Sequence, residues 1–248
     1  MTLDPNLKKR SRRSFVIFAL AAAILSGLWL WLIHVPEEME ESPGLRRVLE
    51  WNGHLWQTFG RETKPAPSMP APEKGRTARL NGEIGLETIL LPAHWKLEIP
   101  DPAGGATLQL SMEDIHSLPK SATSIEFKCI EGWSEIVSYA GVRFSDFLSH
   151  YKLGFHPDGT PYRYVGLETP DGEYYVSLDM PSMLHDQTIL AYEMNGVELS
   201  EKHGAPLRLM IPIKYGIKSL KRIGRIFFSD ARPPDYWAER GYDWYSGL

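Results

Sequence analysis

The 248-residue sequence contains a single cysteine, Cys129. This excludes an intrachain disulfide, a CxxC redox pair and a multi-cysteine zinc site. It has no HExxH, and His94, His116, His150, His156, His185 and His203 are widely dispersed, so a zinc-hydrolase ligand set is missing. It also has no GxSxG, no GxGxxG and no P-loop pattern, which removes the usual nucleophile elbow and nucleotide cradles. Positive charge is scarce over most of the chain. The net charge is −4, but residues 1–13 hold five basic residues against Asp4, a balance of +4, which leaves −8 for the remainder. General nucleic-acid binding draws its affinity from neutralised phosphates and needs the opposite balance. No internal repeat is present.

One long apolar run is present, Phe15 to Ile33 (FVIFALAAAILSGLWLWLI), which carries no charge. A bilayer is spanned by roughly 20 apolar helical residues, and secretory h-regions are shorter. Trp29 and Trp31 stand towards its far end, where amphipathic rings favour the membrane interface. Basic residues precede the run, which predicts a cytoplasmic N-terminus and an external remainder. The reading is therefore a basic tail at 1–13, an anchor at 14–35, a helix and Pro-rich connector at 36–75, and one domain at 76–248. Ser11-Arg12-Arg13-Ser14-Phe15 resembles a twin-arginine export signal, an address used by proteins that cross the membrane folded; an ordinary basic flank explains the same residues.

Beyond the anchor, Ser42-Pro43 predicts a helix start, followed by Leu45, Val48, Leu49, Leu55, Trp56 and Phe59 at helical spacing. Asn52 falls on that apolar stripe and, if buried, needs a backbone or ligand partner. Residues 64–75 (KPAPSMPAPEKG) predict an extended connector. Short strands are expected at 107–110, 124–130, 207–211 and 225–228. A capping box is expected at Ser111–Asp114, a helix capped by Ser145, and a helical turn at 219–222. Two hairpins are expected, 162–169 with 174–178, and 189–194 with 197–199 around Asn195-Gly196. Short strands and helices without a βαβ rhythm predict an α+β domain.

Two stretches could carry chemistry. Residues 202–225 hold Lys202, His203, Arg208, Lys214, Lys218, Lys221, Arg222 and Arg225, with no acid between Glu201 and Asp230. In an otherwise acidic domain this is a candidate anion seat, where guanidinium grips a phosphate through two bonds and ammonium acts as a point charge. A solvated charged face is the alternative. The second stretch is FKCIEGWSEI. A lone strand cysteine is more often a small buried hydrophobe, yet a thiolate is also a soft ligand suited to a transition metal.

Taken in order, FKCIEGWSEI, YVGLETPDG and HGAPLRLMIPIKYGIKSLKRIGRI resemble the molybdopterin-binding domain of the sulfite oxidase superfamily, and among its branches the periplasmic methionine-sulfoxide reductase catalytic subunits. The resemblance covers residues 105–230 and reaches loosely back to the helix at 45–59. It implies a sulfite-oxidase-type α+β fold with a mixed sheet and short helices behind one transmembrane helix. Molybdopterin with molybdenum is the implied cofactor, and Cys129 the implied metal ligand and catalytic residue. The implied cofactor contacts are Asn52, Leu55, Trp56, Thr169, His203, Arg208, Ser219, Leu220 and Lys221. The expected activity is two-electron oxygen-atom transfer on a small oxide, with a separate membrane haem protein as electron partner and a bacterial inner-membrane, periplasm-facing location. His203 stands where the sulfoxide reductase pattern has Asn, and CIEGW lacks the arginines that flank the cysteine in sulfite oxidases. Sulfite oxidation within the superfamily, and a non-catalytic anion- or partner-binding module, are the rival readings.

Overall fold

The computed structural model describes residues 5–34, 43–58, 64–87 and 94–248. The expected helix cap at Ser42 and the apolar position Phe59 lie outside them, and so do the side chains of Leu45 and Trp56. The chain divides into two compact units, Met1–Asn52 and Gly53–Leu248.

In the first unit, helix α1 (Pro5–Ile33) is unbroken, and its Arg12–Ile33 part is long and apolar enough to cross a membrane. Ala- and Leu-rich sequence favours helix, since these residues lose little rotamer freedom there. Phe15, Phe18, Ile24, Leu25, Trp29 and Leu30 are all exposed, so the apolar surface runs round the helix and not along one stripe. A helix apolar on all sides is typical of a membrane span or of the core of a large protein. Helix α2 (Pro43–Thr58) begins with Pro in its first turn, where the missing N–H costs no helical bond.

The second unit is built on two sheets. In one the order is β2 (Leu108–Leu110), β1 (Leu97–Ile99), β10 (Arg225–Ser229), β5 (Tyr164–Glu168), β6 (Tyr175–Asp179), with β1 and β10 parallel and the other pairs antiparallel. In the other it is β3 (Lys120–Lys128), β4 (Ser134–Arg143), β7 (Ile189–Met194), β8 (Val197–Glu198), with β9 (Arg208–Met210) also pairing β7; all its pairs are antiparallel. A mixed sheet with few short helices is the α+β architecture expected from the sequence.

Strand alternation in the second sheet feeds two cores. On β7, Leu190 and Tyr192 join the main core with β5, β6 and β10, whereas Ile189, Ala191 and Met194 face a smaller cluster with Ile125, Val137, Tyr139 and Met210. Successive side chains of a strand point to opposite faces, so both faces of this sheet must be covered. Helix α4 (Phe144–Tyr151) inserts Phe147 and Leu148 into the main core. The smaller core is covered by the Pro-rich segment, which is a strap and not a loose linker. Ser68 bridges Ile125, Met69 N–H donates to the Ser124 carbonyl at 2.9 Å, and the Gln187 amide exchanges two hydrogen bonds with Ala66. Further on, the Asn195 amide nitrogen donates to the Arg76 carbonyl at 2.7 Å, and Ala78 is buried in the cluster.

The sequence-predicted capping box forms at Ser111 and Asp114, opening α3 (Met112–His116), and both hairpins form. Two expectations need correction. Ser145 lies inside α4, whose N-cap is Arg143 without a side-chain cap bond; the preceding strand β4 runs directly into the helix and fixes its start. The helical turn expected at 219–222 falls at Gly216–Lys218, because Ser219 leaves helical geometry and Arg222 adopts φ +51°.

Candidate functional site

Cys129 follows the last residue of β3, at the start of the hairpin to β4. Its N–H donates to the Trp133 carbonyl at 2.9 Å, and Gly132 N–H donates to the Cys129 carbonyl at 3.1 Å, so the five-residue connection is tightly closed. The side chain is 2% exposed yet lies in the wall of a cavity between β3, the strap, the 203–221 segment and the C-terminal segment. Asn81 of the strap donates from its amide nitrogen to Cys129 Sγ at 2.9 Å. Burial pushes the Cys129 thiol up, and the Glu131 charge adds to this. The backbone N–H groups of Glu131 and Ile130 and the Asn81 amide oppose it. These donors converge on a sulfur that could carry negative charge once a cation displaced its proton.

The opposite wall is basic. Gly204 ends the 3-10 turn Glu201–His203 at φ +97°, and a Cβ there would lie 2.7 Å from Lys221 Cβ. Only glycine allows this approach, which brings His203 beside Lys221. Arg208, 3% exposed on β9, donates to the His203 carbonyl at 3.0 Å and to the Ser219 carbonyl at 3.3 Å. Among the described residues, its Nε and Ser219 Oγ are buried without a hydrogen-bond partner. Lys221 donates to the carbonyls of Asn81, Gly82 (2.8 Å) and Lys202 (3.0 Å), and so pins the strap over the site. Burial first and Arg208 second lower the Lys221 pKa to about 8. His203 falls to about 4, from burial and then the charges of Arg208 and Lys221, so its ring is neutral at physiological pH.

Aromatic rings complete the lining: Phe127, Trp133, Tyr139, Tyr174, Trp237 and Tyr242. Tyr174 donates to the Ile217 carbonyl at 2.6 Å, and burial raises its pKa far out of range, so it stays a phenol. Behind the wall, Lys218 is fully buried and pairs with Asp235 at 2.5 Å. Asp235 also accepts from Ser177 N–H at 3.0 Å and from Ala238 N–H at 3.1 Å, which ties the C-terminal segment carrying Trp237 and Tyr242 to β6.

Of the residues singled out from the sequence, Cys129, His203, Arg208, Ser219 and Lys221 come together in this cavity. Thr169 and Leu220 are buried but do not line it: Thr169 Oγ1 donates to Asp171 at 2.5 Å, and Leu220 belongs to the main core. Leu55 is half-buried and not part of the lining, and the Trp56 side chain lies outside the described residues. Asn52 is exposed, so the argument from a buried amide needing a partner does not apply to it. Sequence reasoning missed Asn81 and Arg79, both delivered by the strap. The only local signal was Asn81-Gly82 after a proline-rich stretch, which reads as a plain turn.

The residues fit the cofactor that the sequence implies. Among the described residues no three His, Cys, Asp or Glu side chains gather to hold a metal, so a metal bound at Cys129 would need most of its ligands from an organic partner. Arg208 Nε and Ser219 Oγ supply unused donors for the anionic end of such a partner. The comparisons agree. The family described as oxidoreductase molybdopterin binding domain matches residues 84–237. A putative protein-methionine-sulfoxide reductase subunit YedZ1 of Azospira oryzae is 36% identical over 55% of this chain and 50% of its own length. The protein-methionine-sulfoxide reductase catalytic subunit MsrP of Campylobacter jejuni is 31% identical over 62% of this chain and 57% of its own. The chain thus spans between half and three-fifths of these curated relatives. The sulfane dehydrogenase SoxCD of Paracoccus pantotrophus aligns with a TM-score of 0.49 at 21% identity, covering 58% of this chain and 40% of its own. With the family match covering more than half of the chain, the protein belongs to the molybdopterin-binding oxidoreductases of the sulfite oxidase family.

Proposed function

We propose that this chain is a membrane-anchored molybdenum enzyme whose domain faces the periplasm and which reduces a small sulfoxide or related S- or N-oxide. The observation that carries the reading is the placing of Cys129 Sγ in an aromatic-walled cavity, facing a basic wall with unused buried donors. Cys129 would bind molybdenum; Arg208 and Ser219, with Lys221 beside them, would seat the anionic end of the molybdopterin. Thr169, Leu220, Leu55, Trp56 and Asn52 remain proposed cofactor contacts from the sequence resemblance alone. When bound, the cofactor supplies two-electron oxygen-atom transfer: a sulfoxide, two electrons and two protons give a thioether and water.

The chain's own residues bind, orient and dry the site. Asn81 holds the Cys129 sulfur from the strap side, and the Lys221 ammonium fixes the strap that carries it. The aromatic rings exclude water and suit the hydrocarbon and sulfur of a thioether. Neutral His203 can donate or accept but brings no charge. α1 serves as the anchor, the Arg12-Arg13 flank as a twin-arginine signal, and a separate membrane haem protein as the electron donor. Relatives named as methionine-sulfoxide reductase subunits support the substrate class.

The test is protein made in a molybdopterin- and twin-arginine-competent host. Molybdenum near one atom per chain, with dye-driven reduction of methyl sulfoxides, is the expected result. Dye-coupled oxidation of sulfite without sulfoxide reduction would transfer the assignment to the sulfite-oxidising alternative.

A further inference from the structure

Arg79 sits on the strap, exposed at the rim of the cavity that has buried Cys129 in its wall. Its backbone is fixed: Arg79 N–H donates to Glu135 at 2.8 Å, Ala78 is buried beside it, and Asn81 two residues on reaches the cysteine sulfur. Its guanidinium carbon lies 4.5 Å above the Trp133 ring, and Trp133 is held in turn through its indole N–H to Glu131 at 2.9 Å. Stacking engages the face of a guanidinium and leaves its edge N–H donors free.

The other charges of the cavity are already engaged. Glu135 pairs with Arg76 at 3.2 Å, Glu131 holds Trp133, and Arg208 and Lys221 donate to carbonyls on the cofactor wall. Among the described residues the Arg79 guanidinium has no hydrogen bond or ion pair, and it stacks on Trp133. The same cavity is lined by aromatic rings, Phe127, Trp237 and Tyr242 among them.

We infer that Arg79 is a specificity-determining residue which holds a carboxylate, so that the substrate is a two-ended molecule: an oxide directed to the floor, an apolar middle against the aromatic rings, and an anionic end at the rim. This rests on the sulfoxide reading above.

The test compares N-acetylmethionine sulfoxide with its neutral amide on the loaded enzyme, wild type against Arg79→Gln and Arg79→Lys. A charge-assisted pair at a partly exposed rim predicts a preference for the acid of about tenfold in kcat/KM, expressed in KM. Arg79→Gln should bring the ratio of acid to amide close to one, Arg79→Lys should keep part of it, and added salt should shrink it in the wild type and in Arg79→Lys but not in Arg79→Gln. Molybdenum content should be the same in all three proteins. Equal use of acid and amide by the wild type, or a preference that survives Arg79→Gln, overturns the inference; so does loss of molybdenum from Arg79→Gln, which would put the residue in the cofactor seat. If the loaded wild type reduces neither compound, the sulfoxide reading fails, and Arg79 is judged on binding alone. In that case N-acetylmethionine, but not its amide, should change the tryptophan fluorescence in an Arg79-dependent way, and equal responses would reject the carboxylate role.

Discussion

Lys218 and Lys221 stand three residues apart, the first fully buried and the second half-buried, and the protein treats them in opposite ways. Behind the turn, Lys218 meets a carboxylate of the protein itself, Asp235, and the cluster with Ser177 is closed. In front of it, among the described residues, the hydrogen bonds of Lys221 and Arg208 go to carbonyl oxygens, and Arg208 Nε and Ser219 Oγ have no hydrogen-bond partner. A buried charge without a counter-charge is expensive, and the cost falls when an anion arrives. The rear cluster is therefore architecture, complete in the protein. On the reading proposed above, the front wall is a site whose counter-charge comes from the bound cofactor.

The largest effect expected is at the floor. Cys129→Ser should lower turnover on the order of 100-fold or more, beyond the loss usual for a residue that only supports a metal ligand. Its melting temperature should stay near that of the wild type, because serine nearly matches the volume. Full activity in this variant would break the account of the site.

The rear cluster gives the next largest effect, and it should be on stability. Asp235→Asn or Lys218→Met leaves a charge buried alone and should cost about 3–5 kcal/mol in denaturant unfolding, whereas the double change Lys218→Met with Asp235→Leu should recover most of the loss. If the singles prove harmless, the contrast between the two lysines collapses.

The front wall should respond to pH instead. The Lys221 pKa is lowered to about 8, so in the cofactor-free protein the ammonium is charged below that value and neutral above it. Its lowered pKa means that the unfolded chain binds more protons between about pH 8 and the ordinary lysine value, so this group's contribution to stability rises with pH across that window. Anion binding should do the reverse and weaken as pH rises through 8, seen by titrating cofactor-free protein with inorganic phosphate. Lys221→Met should flatten both trends. His203→Asn should have the smallest effect, less than about tenfold on cofactor retention, because the ring it removes is already neutral. A larger loss would give that ring a role its charge state does not suggest.

This contrast between the two lysines also marks what a sequence discloses. The basic run at 202–225 was plain in the sequence, but nothing in its spacing separates Lys218 from Lys221, since the difference lies in Asp235 arriving from seventeen positions away. Hairpins were legible because Asn195-Gly196 encodes its own turn, with φ of 49° and 74°. Strand β4 was not, although it is the longest strand of its sheet: its buried run Tyr139–Val142 serves two cores and shows no clean alternation. The strap was the deepest omission. Proline, alanine and serine look like a linker until the partners Ser124, Gln187 and Asn195 are placed around them, and only then does Asn81 reach the cysteine and Arg79 its cavity. Local chemistry announced the turns and the charges, and long-range packing decided what they were for.

The most direct test of the central claim is X-ray absorption at the molybdenum edge on the purified, loaded protein and on a loaded Cys129→Ser form. The account predicts that the wild-type metal has one thiolate sulfur more than the variant, in addition to the sulfurs of the pterin. Identical sulfur coordination in the two proteins would contradict it.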